Sequence, residues 1–563
     1  MKISERMDGE AIDRVISKLG DFGKFQIRAY VLTCLPIVVI ALGVMNIVFI
    51  HYALPFRCAL PDMPNDTYES QGEWHDAMVN ASYVLDPLAL DGKDHCLLNI
   101  PPNSSSATNV TSTEKCDRWV FDRSMMAETV QSEFNFVCEK RPRETVAQIA
   151  STGGELVGGI FAGYFADRFG RKPVFLISII LDAIFGTAAA FAPEHHSFAF
   201  LRFMIGFSIG GTFGAGFTLI MEMVGSSKRM LAGVLVEYFW IVGAMSTAGF
   251  AYLATNWRHL LLVSSVPLFG IIPFFWLIDE SPRWLLASND KKKRNEGKKL
   301  LERMAEVNGR HLSEKDLEVL DVQGDEVEKR EEGLLRMFKS PKLLLSLFIV
   351  TLNWFSVSIM YGGLSLNSGK LPGNVYVNFL LISAVEIPAY TLLFTIDKLG
   401  RKGPHITYMV VGGLSLLCTV PVDLYAPHDA PSTRWVYVGL NVVGKLGVTA
   451  AYGLIVIWAA EVFPTVTRSS MFAISGFFGR CGAMLAPVIV NEARFEGPVG
   501  DSIPLVIMGI ISVTTGLLAL VLPDTANVPL PETIEDAENL YSKRSQSSGD
   551  NSSKWRPICQ DTQ

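Results

Sequence analysis

Charge is what this sequence has least of. Only 19% of its 563 residues are Asp, Glu, Lys or Arg, against 49% hydrophobic, a ratio that excludes an ordinary soluble profile. Basic excess is missing as well: the net charge is −7, so there is no electrostatic footprint for nucleic acid. No nucleophile–base pair, metal-ligand cluster or phosphate-binding loop can be read from the chain. The Gly-rich "GFSIGGTFGAG" (206–216) lies inside an apolar run, where small residues serve helix packing. An enzyme reading therefore has no residues to stand on, and no cofactor is expected. No cleavable leader is expected, because the first 28 residues are polar and charged; the first apolar span is expected to act as its own anchor.

What is present is a series of apolar windows, each of about twenty residues. They fall near 29–53, 146–166, 173–192, 198–222, 231–254, 259–279, 343–365, 375–397, 404–424, 433–458, 468–491 and 502–523. The expectation is an all-α membrane protein of twelve transmembrane helices. The loop at 54–144 carries sequons at Asn65, Asn80, Asn103 and Asn109 and half the cysteines, Cys58, Cys96, Cys116 and Cys138. Such a loop belongs in an oxidising, glycosylating compartment and holds two disulfides, with three pairings open. The termini, 1–28 and 524–563, then face the cytosol. Basic "DRFGRK" (167–172), "NDKKKRNEGKK" (289–299) and "DKLGRK" (397–402) fall on that same side. The segment 280–342 reads as a charged, solvated helical linker, and the Ser-rich end of the tail as disordered.

Landmarks recur in the two halves, 29–279 and 343–523. "DRFGRK" and "DKLGRK" each follow the second span of their half. "MEMVGSSKR" places Glu222 before Arg229 after the fourth span, and "AEVFPTVTR" places Glu461 before Arg468 after the tenth. "DESPRW" (279–284) follows the sixth and "LPDT" (522–525) the twelfth. The duplication predicts two pseudo-symmetric six-helix bundles rocking about a midplane site.

The D-x-x-G-R-K turns resemble the loop motif of the major facilitator superfamily. "CDRWVFDRS" (116–124), "DESPRWL" (279–285), "NWFSVSIMYGGLSL" (353–366), "VEIPAY" (385–390), "AEVFPT" (460–465) and "LPDTANVPLPETIEDAENL" (522–540) resemble the organic cation, carnitine and organic anion transporters of solute carrier family 22. The similarity runs from "DRVISKLGDFGKFQ" (13–26) to the last span. It implies movement of a small organic ion by alternating access in the plasma membrane, with the coupling ion, sodium or proton, and the oligomeric state left open. It also implies inner-face gating roles for Asp167, Arg168, Gly170, Arg171, Glu222 and Arg229, and for Asp397, Gly400, Arg401, Glu461 and Arg468.

A charge at the centre of a span costs roughly 2.5–3.5 kcal/mol, so it is expected to face a cavity or a partner. Arg480 shares a face with Gly476, Ala483, Met484 and Pro487; Asn441, Lys445, Thr449 and Tyr452 form a polar stripe, as do Trp354, Ser358, Tyr361 and Ser365. Arg480 suits a carboxylate, with Lys445 a second cation. In the resembling family, cation carriers place an aspartate where Arg480 stands, and carnitine and anion carriers an arginine. Glu155, Glu237 and Asp182 supply acids in the first half, and Phe213, Tyr238 and Trp240 supply aromatic rings. The resembling cation carriers tend to have a neutral amide where Glu237 stands. The reading that follows is a carboxylate-bearing zwitterion or anion, such as a carnitine-like betaine or β-alanine. The alternatives are an organic cation carrier, a sugar carrier, which the seventh span disfavours for want of clustered Gln and Asn, and a non-transporting receptor. Glu386 or Glu461 could instead neutralise Arg480 and Lys445, and Asp182 reads as structural.

Overall fold

The structure is a computed structural model describing residues 9–61, 63–85, 93–100, 112–288, 290–313, 316, 339–427, 430–465, 467–493, 500–526, 528, 531 and 533–547. Among the described residues ten helices are long and apolar enough to cross a membrane: Lys24–Ile50, Arg171–Ala189, His195–Met223, Ser226–Leu253, Pro341–Lys370, Val375–Leu399, Lys402–Tyr425, Pro431–Val462, Arg468–Glu492 and Ile503–Val521. The two other expected spans are helical but atypical. The second, Pro142–Phe169, is diluted by glycines and Glu155. The sixth is broken into Trp257–Ser265, a 3-10 turn Val266–Ile271 and Phe274–Leu277, because Pro267 and Pro273 cannot donate to the helical ladder.

Local chemistry explains several boundaries. Pro341 and Pro431 sit in the first turns of their helices, where the missing N–H costs nothing. Gly170 ends the second span at φ +114° and Gly400 the eighth at φ +84°, values that L side chains rarely adopt. In the eighth span, Pro388 denies Ala384 its hydrogen-bond partner. The helix breaks between Val375–Ala384 and Glu386–Leu392, which leaves the buried Glu386 at the kink.

Each half has its own core. Phe175, Ile179, Phe198, Leu219 and Trp257 lie in one cluster; Val357, Met360, Trp458, Met471 and Met508 lie in another. The second and fourth spans approach so closely that a Cβ on Gly158 would stand 2.0 Å from the Phe207 carbonyl, and one on Gly206 1.8 Å from that of Ser151. Backbone contact of this kind holds helices together where burial from water does not. Between the halves, the outer ends of the second and eleventh spans are tied. Thr145 donates to Glu492 at 2.5 Å and Asn491 to Gln148 at 2.9 Å.

Outside the bundle, the loop after the first span folds as a small domain with a two-stranded and a three-stranded antiparallel sheet. Its disulfides join Cys58 to Cys116 and Cys96 to Cys138, choosing one of the three pairings. Asn65 and Asn80 are exposed; Asn103 and Asn109 lie outside the described residues. Inside it, Arg57 grips Asp66 with two bonds, at 2.6 and 2.8 Å, and His75 adds a third at 3.0 Å. Burial opposes ionisation of Asp66, but the bonds from Arg57, His75 and the Leu60 N–H outweigh it and hold the carboxyl down to about 2.

The linker differs from the solvated helix expected. Its helix Lys291–Asn308 packs Leu300, Leu301, Met304 and Ala305 against Ile12, Val15, Ile16 and Leu19 of an amino-terminal helix, Gly9–Leu19. At the other end of the chain a helix spans Ile534–Ser547 and bonds through Glu538 and Tyr541 to Ser340 and Ser346. The tail beyond 547 lies outside the described residues.

Candidate functional site

The polar stripes and acids of the two halves meet midway along the spans. Glu386, at the kink of the eighth span, pairs with Lys445 of the tenth at 2.9 Å, their side chains 3% and 1% exposed. The Lys445 ammonium also donates to Ser365 at 2.8 Å and stands 3.3 Å from the centre of the Tyr361 ring. This cation is fully occupied inside its own half by a carboxylate, a hydroxyl and a π face.

Arg480 takes a partner that the sequence did not suggest. Its Nε lies 3.6 Å from Glu155 of the second span, across the interface between halves, rather than near Glu386 or Glu461. This contact is looser, and its side chains are 37% and 33% exposed. A pair at that distance is held by charge without a short hydrogen bond.

Aromatic rings connect these pairs. Phe213 and Trp240 lie 5.5 Å apart, Tyr361 and Tyr452 5.9 Å, and Trp354 and Tyr452 6.2 Å. The Trp240 indole N–H donates to the Tyr361 hydroxyl at 2.8 Å, bonding one half to the other. Glu237 sits one turn before Trp240. Its neighbours are the Tyr390 hydroxyl and the Glu386 charge, and it also acts on Tyr361 and Tyr452. Among the described residues it has no cationic partner. Asp182 is buried away from this cluster, within electrostatic reach of the buried Arg202.

At the inner face the arginines of the two glycine turns each join two acids. Glu222 pairs with Arg171 at 3.1 Å rather than with Arg229, and Asp167 joins the same arginine at 3.1 Å. Glu461 pairs with Arg401 at 3.0 Å rather than with Arg468, and Asp397 joins at 2.9 Å. Arg229 bonds Asp13 of the amino-terminal helix at 2.7 Å, and Arg468 reaches the Phe463 carbonyl at 3.2 Å. Arg168 is exposed beside Tyr164.

Three contributors were not foreseen. Tyr390 stands four residues after Glu386, one helical turn along "VEIPAY", a spacing that would have exposed it. Glu280 accepts from the backbone N–H of Arg171 and Lys172, and Asp524 from that of Arg401. Both acids were visible as repeated landmarks; their role as caps on the helices that open after Gly170 and Gly400 was not.

Relatives agree with this architecture. Residues 140–537 match the family model "Sugar (and other) transporter". The chain is 36% identical over 540 residues to "Organic cation transporter protein" of Drosophila melanogaster, covering 94% of this chain and 95% of that one. It is 32% identical over 552 residues to "Solute carrier family 22 member 1" of Oryctolagus cuniculus, covering 94% and 96%. In fold it resembles the xylose transporter XylE from E. coli in a partially occluded inward open conformation, with TM-score 0.56 and 14% identity over 90% of this chain and 100% of that one. The chain thus belongs to the sugar (and other) transporter family of the major facilitator superfamily and, within it, to solute carrier family 22: a multi-pass membrane transporter of organic ions, not an enzyme.

Proposed function

We propose that this chain carries organic cations across the plasma membrane by alternating access, with its loop domain extracellular and its termini cytosolic. The observation that carries the reading is the state of Glu237. Both midplane cations have carboxylate partners, Lys445 in Glu386 and Arg480 in Glu155, whereas Glu237 has no cationic partner among the described residues and is flanked by the phenols of Tyr361, Tyr390 and Tyr452. An ammonium entering there gains both a counter-charge and ring faces. Arg401 and Arg171 latch the inner ends of each half, and a substrate moves the equilibrium by binding one facing state more tightly than the other. The names of the similar transporters, which speak of organic cations, point the same way.

A second reading rests on the looseness of the Arg480–Glu155 contact. A substrate carboxylate that displaces Glu155 from Arg480 would make the site one for zwitterions such as carnitine, with Glu237 still holding the ammonium. Uptake of radiolabelled tetraethylammonium, carnitine and a plain carboxylate by cells expressing the chain separates the two. The cation reading requires Glu237→Gln to cut tetraethylammonium uptake at least tenfold, about 1.4 kcal/mol, at equal surface expression. Unchanged uptake would remove Glu237 from the site; loss of carnitine uptake alone in Arg480→Ala would favour the zwitterion.

A further inference from the structure

On the lipid-facing flank of the amino-terminal bundle, a groove of about 310 Å³ opens between the second, third and fourth spans. Its rim is a stripe at one-turn spacing, Phe161, Phe165 and Phe169, exposed by 48%, 40% and 57%. Val174 and Ile177 form the opposite wall, and Phe207 with Gly158 and Gly211 the back. The back is closed by tight packing at those glycines, Gly158 against the Phe207 backbone and Gly211 against the Ser178 side chain of the third span, which leaves the space in front of them open. From Gly158 to Phe169 the helix advances about 16 Å, close to half of a hydrocarbon core of about 30 Å. The groove therefore runs from the inner face to the midplane and has the reach of one leaflet.

Its inner mouth is the "DRFGRK" turn. Arg171 is engaged with Glu222 and Asp167, and the Glu280 carboxylate is taken by backbone N–H groups of Arg171 and Lys172. That leaves Arg168, exposed with its guanidinium 5.7 Å from the centre of the Phe169 ring, and the Lys172 ammonium; neither has an ion pair among the described residues. Two uncompensated cations thus stand at headgroup depth over an apolar slot one leaflet deep. A peptide segment would have to bury unpaired backbone groups in that slot, whereas an acyl chain has none. The geometry points to a binding site for a single anionic phospholipid of the inner leaflet, one acyl chain along the Phe stripe and its phosphate between Arg168 and Lys172. Its occupant braces the inner half of the second span, which carries Glu155 and ends at the gating turn, so the lipid composition of that leaflet sets the transport rate.

The test is retention of lipid by the purified full-length protein, released from vesicles of equal phosphatidylserine and phosphatidylcholine and weighed intact with whatever stays bound. Phosphatidylserine is expected to be retained in preference. Arg168→Gln/Lys172→Gln is expected to lower that retention on the order of thirtyfold, since each basic residue near an anionic headgroup contributes about fivefold, and to leave phosphatidylcholine unchanged. Because Arg168 borders the gating turn, Ile177→Trp is the second variant: it fills the slot from the opposite wall and is expected to abolish retention of both lipids. Equal retention of the two lipids by the unsubstituted protein, or undiminished phosphatidylserine in Ile177→Trp, would overturn the site.

Discussion

At the inner face the two halves use one device in different settings. Each has a glycine turn, an arginine that joins two acids, and a third acid that caps the next helix: Arg171 with Glu222, Asp167 and Glu280, and Arg401 with Glu461, Asp397 and Asp524. In the first half that device is fastened further, because Asp13 of the amino-terminal helix bridges Arg229 and Arg283. In the second half Arg468 meets, among the described residues, only Phe463 and Thr465 oxygens within hydrogen-bond distance. Midway through the membrane the asymmetry reverses. The second half closes one pair of its charges, Lys445 and Glu386, in its interior and leaves Arg480 at the interface, while the first keeps Glu237 and Glu155 turned toward that interface. Duplication supplied two similar bodies; the differences leave two acids of the first half and one arginine of the second facing each other, beside a sealed pair found in the second half.

This contrast can be broken, and the largest effect is expected at its most buried point. Lys445→Met leaves Glu386 charged and alone, which costs about 3–5 kcal/mol when one partner of a buried pair is removed. Thermal unfolding of the detergent-purified variant should fall accordingly, and adding Glu386→Gln should recover most of the loss; no recovery would mean the pair is not self-contained. A smaller effect is expected at the latches. Arg401, 9% exposed and bonded to Glu461 three times, should lose more uptake as Arg401→Gln than Arg171→Gln does, each bond to a charged group contributing about 1.5–3 kcal/mol. If Arg171→Gln proved the worse, the first half would be the one under tension. The smallest effect lies outside the bundle. Because the folded Asp66 carboxyl sits below its ordinary value, its contribution is complete above the ordinary carboxylate range and disappears as pH falls toward about 2. The melting difference between the unsubstituted protein and Asp66→Asn should therefore be flat from pH 7 to about pH 5 and shrink below about pH 4; a difference that changed between pH 7 and 6 would assign the stability to another group.

Some of this was legible in the chain. Apolar windows, the paired landmarks and the clustered cysteines are local patterns, and they sufficed for spans, halves and the loop domain. Partners were not legible. Glu222 and Arg229 stand seven residues apart, but the fourth span ends at Met223, so Glu222 looks back toward Arg171 while Arg229 opens the next helix. Glu155 and Arg480 come from opposite halves, and each taken singly only advertises a need for a counter-charge. The apolar face of Lys291–Asn308 was hidden by its lysines, since the residues that cover it, Ile12 to Leu19, lie almost three hundred positions away. Substrate sign turns on those pairings: Arg480 read beside the unpaired acids Glu155 and Glu237 favours a zwitterion, whereas Arg480 with Glu155 already at its side supports the cation proposed above and keeps the zwitterion as the second reading.

The anchoring of the loop domain has a consequence for how motion could be watched. Glu133 is bound by Arg258 and by the Trp257 indole, and Glu128 by Asn256, all in the first half. Toward the second half the hydroxyl of Tyr376 reaches Met125 and Met126. The domain is then a passenger of the first bundle, with a slender brake on the second. A fluorophore on its exposed helix Glu73–Ser82, paired with one at the outer end of the tenth span, would act as a pointer: its distance would change once per turnover.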